Sequence, residues 1–166
     1  MRVLPGLVTS GFLALALTAP VAAQAAPQAL DGVRSVTVLV ERSPEAVAAG
    51  IDTTALRHQA EDAVQRLGLT LVPPGSRDSA DGVLYVNTFT ATNPQRSWYA
   101  AYFEVEMMQP VTIDRTPDAR LYATTWEAPM RLRVVEPGKI SAEVTQVVGG
   151  MLDEFASAWK AANPGR

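Results

Sequence analysis

The sequence predicts an α+β fold: a mixed, mainly antiparallel five-stranded sheet with two helices packed on one face, in the order β-α-β-β-β-β-α. Three observations carry this reading. Several stretches alternate apolar and polar residues with period two, as half-buried strands do. Two others carry apolar stripes at helical spacing. The first helix stands between the first two strands, so a right-handed crossover sets it on one side of the sheet, to which the C-terminal helix can return. The other side is left with nothing to cover it.

Each element has its own signature. "VRSVTVLVE" places Val36, Val38 and Val40 against Ser35, Thr37 and Leu39, a first strand. Asp52 can cap the helix that follows, with Ile51 and Leu56 spaced as a hydrophobic staple, Leu56, Ala60, Ala63 and Leu67 as its stripe, and Gly68 as its C-terminal stop, so the helix spans 53–67. "LTLV" is a short strand stopped by Pro73-Pro74, and "GSRDSADG" is a polar loop. "VLYVNTFTA" puts Leu84, Val86 and Thr88 on one side and Tyr85, Asn87 and Phe89 on the other. In "YAAYFEVEMMQPVTI", Ala101, Phe103, Val105 and Met107 share one parity while Tyr102, Glu104, Glu106 and Met108 share the other. "DRTPDAR" turns into "LYATTWEAPMRLRVV", a last strand that Pro129 interrupts or marks as an edge. Ile140, Val144, Val147, Met151 and Phe155 form the stripe of the final helix, closed by Asn163-Pro164-Gly165. Gly149-Gly150 inside it implies a kink or a neighbouring backbone too close for a side chain.

The N-terminus reads differently. Met1-Arg2, an apolar run too short to span a bilayer and Ala23-Gln24-Ala25 make residues 1–25 a secretory signal peptide, cleaved after Ala25 or Ala23. Of the 166 residues, 26–32 are a flexible leader and 33–166 a single domain. A periplasmic or secreted product is expected, with no stable membrane insertion after cleavage. The chain has no cysteine, which removes disulfides, thiol catalysis and thiolate metal sites. A formal net charge of -3 with scattered basic residues argues against nucleic acid.

Catalytic signatures are weak. Glu104 and Glu106 lie about 6.6 Å apart along one strand face, a distance glycosidase carboxylates could use, but an open strand face lacks the apolar pocket that keeps one acid protonated. His58 is turned off the apolar stripe toward solvent. There is no nucleophile elbow and no phosphate-binding glycine motif, and Asp78 and Asp81 are too few oxygens for calcium. No catalytic residue, metal or cofactor is assigned. What remains is a binding constellation on the uncovered face: Tyr85, Tyr102, Glu104, Glu106, Tyr122 and Trp126, provided the parities hold.

Stretches such as "RSVTVLVE", "LRHQAEDAVQRLGLTLVP", "DGVLYVNTF", "YFEVEMMQPVTI", "LYATTWEAP" and "FASAWKAANP" resemble an uncharacterised family of small secreted bacterial proteins. More distantly they are similar to the N-terminal domain of the Tol translocation propeller protein and to auxiliary lipoproteins of envelope transport systems. The resemblance implies binding or assembly at the cell envelope, through an envelope protein or self-association; the chain lacks the lipoproteins' anchoring cysteine. The expectation is therefore a non-enzymatic envelope module. A small-molecule carrier using the same aromatic and acidic residues is the alternative, and a hydrolase using Glu104 and Glu106 the weaker one.

Overall fold

In the computed structural model, which describes residues 27–166, six strands form one mixed sheet in the order β2-β1-β3-β4-β5, with β6 also paired to β4. β1 (Ser35–Val40) runs parallel to β2 (Thr70–Leu71) and to β3 (Gly82–Thr92). β4 (Tyr99–Ile113) is antiparallel to β3 along one edge. Its other edge is shared: β6 (Arg131–Val135) pairs with Tyr99–Phe103, and β5 (Thr116–Glu127) with Glu106–Ile113. The expected signal peptide lies outside the described residues.

The α+β class with a mixed sheet is as expected, but the strand count is six rather than five. What reads as one strand, "LYATTWEAPMRLRVV", is two. β5 stops at Glu127, and the chain resumes as β6 at Arg131. Pro129 has no amide to give to a ladder, so the break falls around it. Ala128 still donates its N–H to the Val105 carbonyl at 2.9 Å, which keeps both strands on the same edge of β4. A short helix α1 (Pro44–Ala48), capped by Ser43, fills the loop before α2 (Thr53–Arg66). The expected turn 114–120 is tighter, since β5 already begins at Thr116.

α2 begins and ends as its sequence dictates. Asp52 Oδ1 accepts from the amides of Thr54 and Ala55 at 2.9 and 3.0 Å. At the far end Gly68 adopts φ +74°, and the amides of Gly68 and Leu69 return to the carbonyls of Gln65 and Val64. That is the two-bond closure a left-handed glycine permits. Leu56, Ala60, Ala63 and Val64 are buried.

α3 (Ile140–Ala162) lies against β4 and α2, and buries Val144, Val148, Met151, Leu152 and Phe155. Beneath the helices β4 contributes Ala101, Phe103, Val105 and Met107, all fully buried, β3 Leu84 and Val86, and β1 Val36 and Val38. Gly149 and Gly150 cause no break in α3. A Cβ on Gly149 would stand 2.8 Å from Gln59 Nε2, and that amide donates to the Thr145 carbonyl at 3.1 Å. The close neighbour is thus a side chain of α2 rather than a backbone.

Within the segment expected as a flexible leader, residues 27–32 are docked. Pro27–Leu30 makes a 3-10 turn that buries Leu30 completely. Asn163, the C-cap of α3, donates from Nδ2 to the Leu30 carbonyl at 3.0 Å and accepts from the Gly32 amide at 3.1 Å. Trp159 donates its indole N–H to the Val33 carbonyl at 3.1 Å. One apolar residue and three hydrogen bonds to α3 outweigh the flexibility that the local composition suggests.

Two outcomes follow from this packing. Asn163→Ala removes the clamp, so the Gly32 amide should exchange with solvent at least about tenfold faster, and global stability should drop by about 1–3 kcal/mol. Hydrogen-exchange mass spectrometry and urea unfolding check both.

Candidate functional site

The face of the sheet away from the helices is defined by the second parity of β4. Tyr102, Glu104, Glu106 and Met108 are half-buried there, and their cross-strand partners on β3 are Phe89, Asn87, Tyr85 and Val83. On the other edge Leu132 of β6 lies opposite Tyr102, and Glu127 of β5 lies opposite Glu106. The face therefore has two bands. Phe89, Tyr102 and Leu132 cross three strands as one apolar row, with Ala91, Ala100 and Val134 as the next. Phe89 is 52%, Leu132 62% and Val134 73% exposed. Two and four residues along β4 come Glu104 and Glu106, at about 6.6 Å per two-residue step.

Hydrogen bonds hold the acidic band in place. Tyr102 donates its hydroxyl to Glu104 Oε1 at 2.7 Å, and Asn87 donates Nδ2 to Glu104 Oε2 at 3.2 Å. Thr124 donates to Glu106 Oε2 at 2.9 Å. Tyr85 donates to Glu41 Oε2 at 3.3 Å. The hydrogen bond to Glu104, with partial burial and the charges of Glu104, Glu106 and Glu127, pushes the Tyr102 hydroxyl up to about 12. Burial, then the charge and hydrogen bond of Glu41, push Tyr85 to about 12 as well. Partial burial and the negative charges of Glu104 and Glu127 pull Glu106 above its ordinary value, against the lowering effect of Thr124.

Of the six residues the sequence assigns to this face, the structure brings four together: Tyr85, Tyr102, Glu104 and Glu106. Trp126 is not among them. It is 6% exposed, lies on the helix side opposite Met107, and meets the Phe155 ring edge-on with centroids 5.4 Å apart. The reason is a β-bulge. Met107 pairs with Trp126 but Met108 pairs with Thr124, so Thr125 is an extra residue that inverts parity along β5. Thr125 instead donates to Gln109 Oε1 and the Met107 carbonyl. Tyr122, opposite Pro110, is on the open side but about 26 Å along β4 from Tyr102, eight residues at the rise of a strand. There its hydroxyl donates to Asp78 Oδ1 at 3.2 Å, and the Arg77 guanidinium stands 5.6 Å from its ring.

Phe89, Asn87, Glu127, Leu132 and Val134 belong to the face although the sequence reading assigns them no role. Parity on β3 already points Phe89 and Asn87 the right way. Leu132 and Val134 require knowing that β6 returns to β4, and Glu127 requires the bulge. His58 is exposed, as its helical phase requires.

Two hollows are present. One, of about 360 Å3, is polar and lies between Gly32, Asp78, Asp81 and Arg120. In its wall Asp81 accepts from the amides of Arg34 and Ser35 and from the Ser35 hydroxyl. Partial burial raises the proton affinity of Asp81, but these hydrogen bonds outweigh it and hold the carboxyl below its ordinary range. The other, of about 380 Å3, lies between α1, Phe89, Arg96 and Tyr99. Neither contains Tyr85, Tyr102, Glu104 or Glu106. Among the described residues no group of three His, Cys, Asp or Glu is arranged to hold a metal, and no helix is long and apolar enough to cross a membrane.

Three variants test this geometry. Trp126→Ala should cost about 3–5 kcal/mol in denaturant unfolding, the loss of a core ring, whereas Tyr122→Ala should cost less than about 1 kcal/mol. Glu106→Gln tests the crowding of carboxylates. Because the folded Glu106 carboxyl holds its proton more tightly than the unfolded one, its contribution to stability is full below the ordinary value of 4.5 and is lost as pH rises through the folded value. Glu106→Gln should therefore raise Tm by about 1–4 °C at neutral pH, with the gain fading toward pH 4, in calorimetric scans across pH.

No protein-family model matches the chain, and no curated protein sequence does. Among solved structures it is similar to the PelC dodecamer from Paraburkholderia phytofirmans, in one crystal form at 14% identity over 78% of this chain and 90% of that one, with a TM-score of 0.42. A second crystal form gives 14% identity, 79% and 90% coverage and a TM-score of 0.41.

Proposed function

We propose that the protein is a non-enzymatic binding or assembly module of the bacterial cell envelope, exported to the periplasm or beyond, that works through the open face of its sheet. The observation that carries this reading is the row Phe89, Tyr102 and Leu132, three large side chains brought side by side on a face that no helix covers. Single exposed apolar residues are ordinary, but a contiguous row beside a polar band has the composition of a recognition surface. The signal-like residues 1–25 support export.

The carrier reading has less support, because neither hollow is lined by Tyr85, Tyr102, Glu104 or Glu106, although Phe89 lines one of them. The raised proton affinity of Glu106 is what a general acid would need, but it comes from partial burial on an open sheet face, with the charges of Glu104 and Glu127 adding to it, rather than from an enclosed apolar pocket.

Leu132→Glu and Phe89→Ser test the binding role. Both side chains are more than half exposed, so unfolding should change by less than about 0.5 kcal/mol. Self-association in sedimentation velocity, or capture of an envelope protein in pull-downs, should fall about tenfold or more. Association unchanged in both folded variants would remove the face from consideration.

A further inference from the structure

The acidic band of the open face consists of Glu104, Glu106 and Glu127, with Glu41 beside Tyr85 at its margin. Among the described residues none of these carboxylates has an ion-pair partner. The nearby arginines of β6 are engaged on the opposite side of the sheet: Arg131 pairs with Glu154 and Arg133 with Glu143, both on α3. The charge of the band is thus uncompensated by the chain itself, and the hydrogen bonds from Tyr102, Asn87 and Thr124 fix where it sits. The apolar row lies next to it at strand spacing.

We infer that the occupant of this face is a protein segment presenting apolar side chains next to lysine or arginine, laid along β4 so that its apolar groups meet Phe89, Tyr102 and Leu132 and its cations meet Glu104, Glu106 and Glu127. This inference rests on the binding role proposed above and names the chemistry of the partner. Charge complementarity selects it. An anionic polymer or an anionic lipid surface would meet like charge. A second copy docked through the same face would offer only the same residues, among which there is no cation to meet the acidic band. A cationic small ligand would have to sit on the acidic band, and neither hollow is lined by Glu104, Glu106 or Glu127. An extended segment matches the repeat of the face, since its alternate side chains recur at the same 6–7 Å or so as Tyr102, Glu104 and Glu106.

The probe is a capped seven-residue peptide with leucine at its first two alternate positions, lysine at the next two, and threonine between. Companion peptides carry glutamine or glutamate in place of lysine. Binding is read from amide shifts of the isotopically labelled protein at about 20 mM and about 300 mM salt. The lysine peptide should bind about tenfold more tightly than the glutamine peptide at low salt, the glutamate peptide should not bind, and the difference should shrink at high salt. The shifts should centre on Tyr102, Glu104 and Leu132. A variant with Glu104→Gln, Glu106→Gln and Glu127→Gln, which relieves like-charge crowding and so should fold, should reduce the lysine peptide to the level of the glutamine peptide. Equal binding of the lysine and glutamine peptides overturns the inference, as do shifts centred elsewhere. If no peptide binds while Leu132→Glu abolishes self-association, the face belongs to a second copy: the inference falls and the binding role stands. If no peptide binds and neither Leu132→Glu nor Phe89→Ser changes any association, both fall.

Discussion

The structure depends on the alternation of one strand. Along β4, Ala101, Phe103, Val105 and Met107 are fully buried under the helices, and this row fixes the direction of every other side chain in the strand. A shift of register by one residue would put Glu104 and Glu106 beneath α3 and Phe103 and Met107 in water. Burying a side chain of this size is worth about 1.5–3 kcal/mol, so the row as a whole outweighs by several-fold the few tenths to about 1 kcal/mol that facing like charges cost on the other side. The crowding of Glu104, Glu106 and Glu127 is thus a tolerated consequence of a core that admits no other register.

How far the sequence reveals this depends on whether a residue's direction is decided locally. Asp52, Ile51, Leu56 and Gly68 mark α2 because capping and staple contacts are made within a turn of the chain. The faces of β4, and of β3 beyond Leu84, are legible because they alternate, whereas β1 buries Thr37 along with Val36 and Val38. Trp126 is not, since Thr124-Thr125-Trp126 reads as unbroken strand and the bulge that inverts it exists only in the pairing with Met107 and Met108. The division of β5 from β6 is half legible: Pro129 marks the break, but nothing local says that both pieces share one edge of β4. The docked segment 27–32 is hidden for the same reason, because Leu30 and Gly32 are held by Asn163, more than 130 residues away.

The bulge also divides the aromatic residues by role. Were parity continuous along β5, Trp126 would extend the open face toward Glu106, and α3 would lose the ring that meets Phe155. Inverting a single position gives the indole to the core and leaves Glu127 opposite Glu106. The same step moves Tyr122 to a separate contact with Arg77 and Asp78, at the end of the sheet that the Pro74–Ser79 turn adjoins. The face that remains is smaller than the sequence suggests and more sharply divided into apolar and acidic bands.

β6 reverses the usual polarity of an edge strand, and this bears on how the face can be used. Its apolar residues Leu132 and Val134 point outward, while Arg131 and Arg133 point toward α3 and pair with Glu154 and Glu143. Inward charges on an edge strand discourage addition of another strand, because a new neighbour would have to pack beside them. β5 guards the other stretch of that edge with an irregular ladder and Pro117 near its start. With edge pairing disfavoured on both, the apolar groups of β6 can be covered only from above the sheet, by something lying across Leu132, Tyr102 and Phe89. The arginines therefore do more than hold β6 to the helix: they turn Leu132 and Val134 outward and disfavour pairing along that edge.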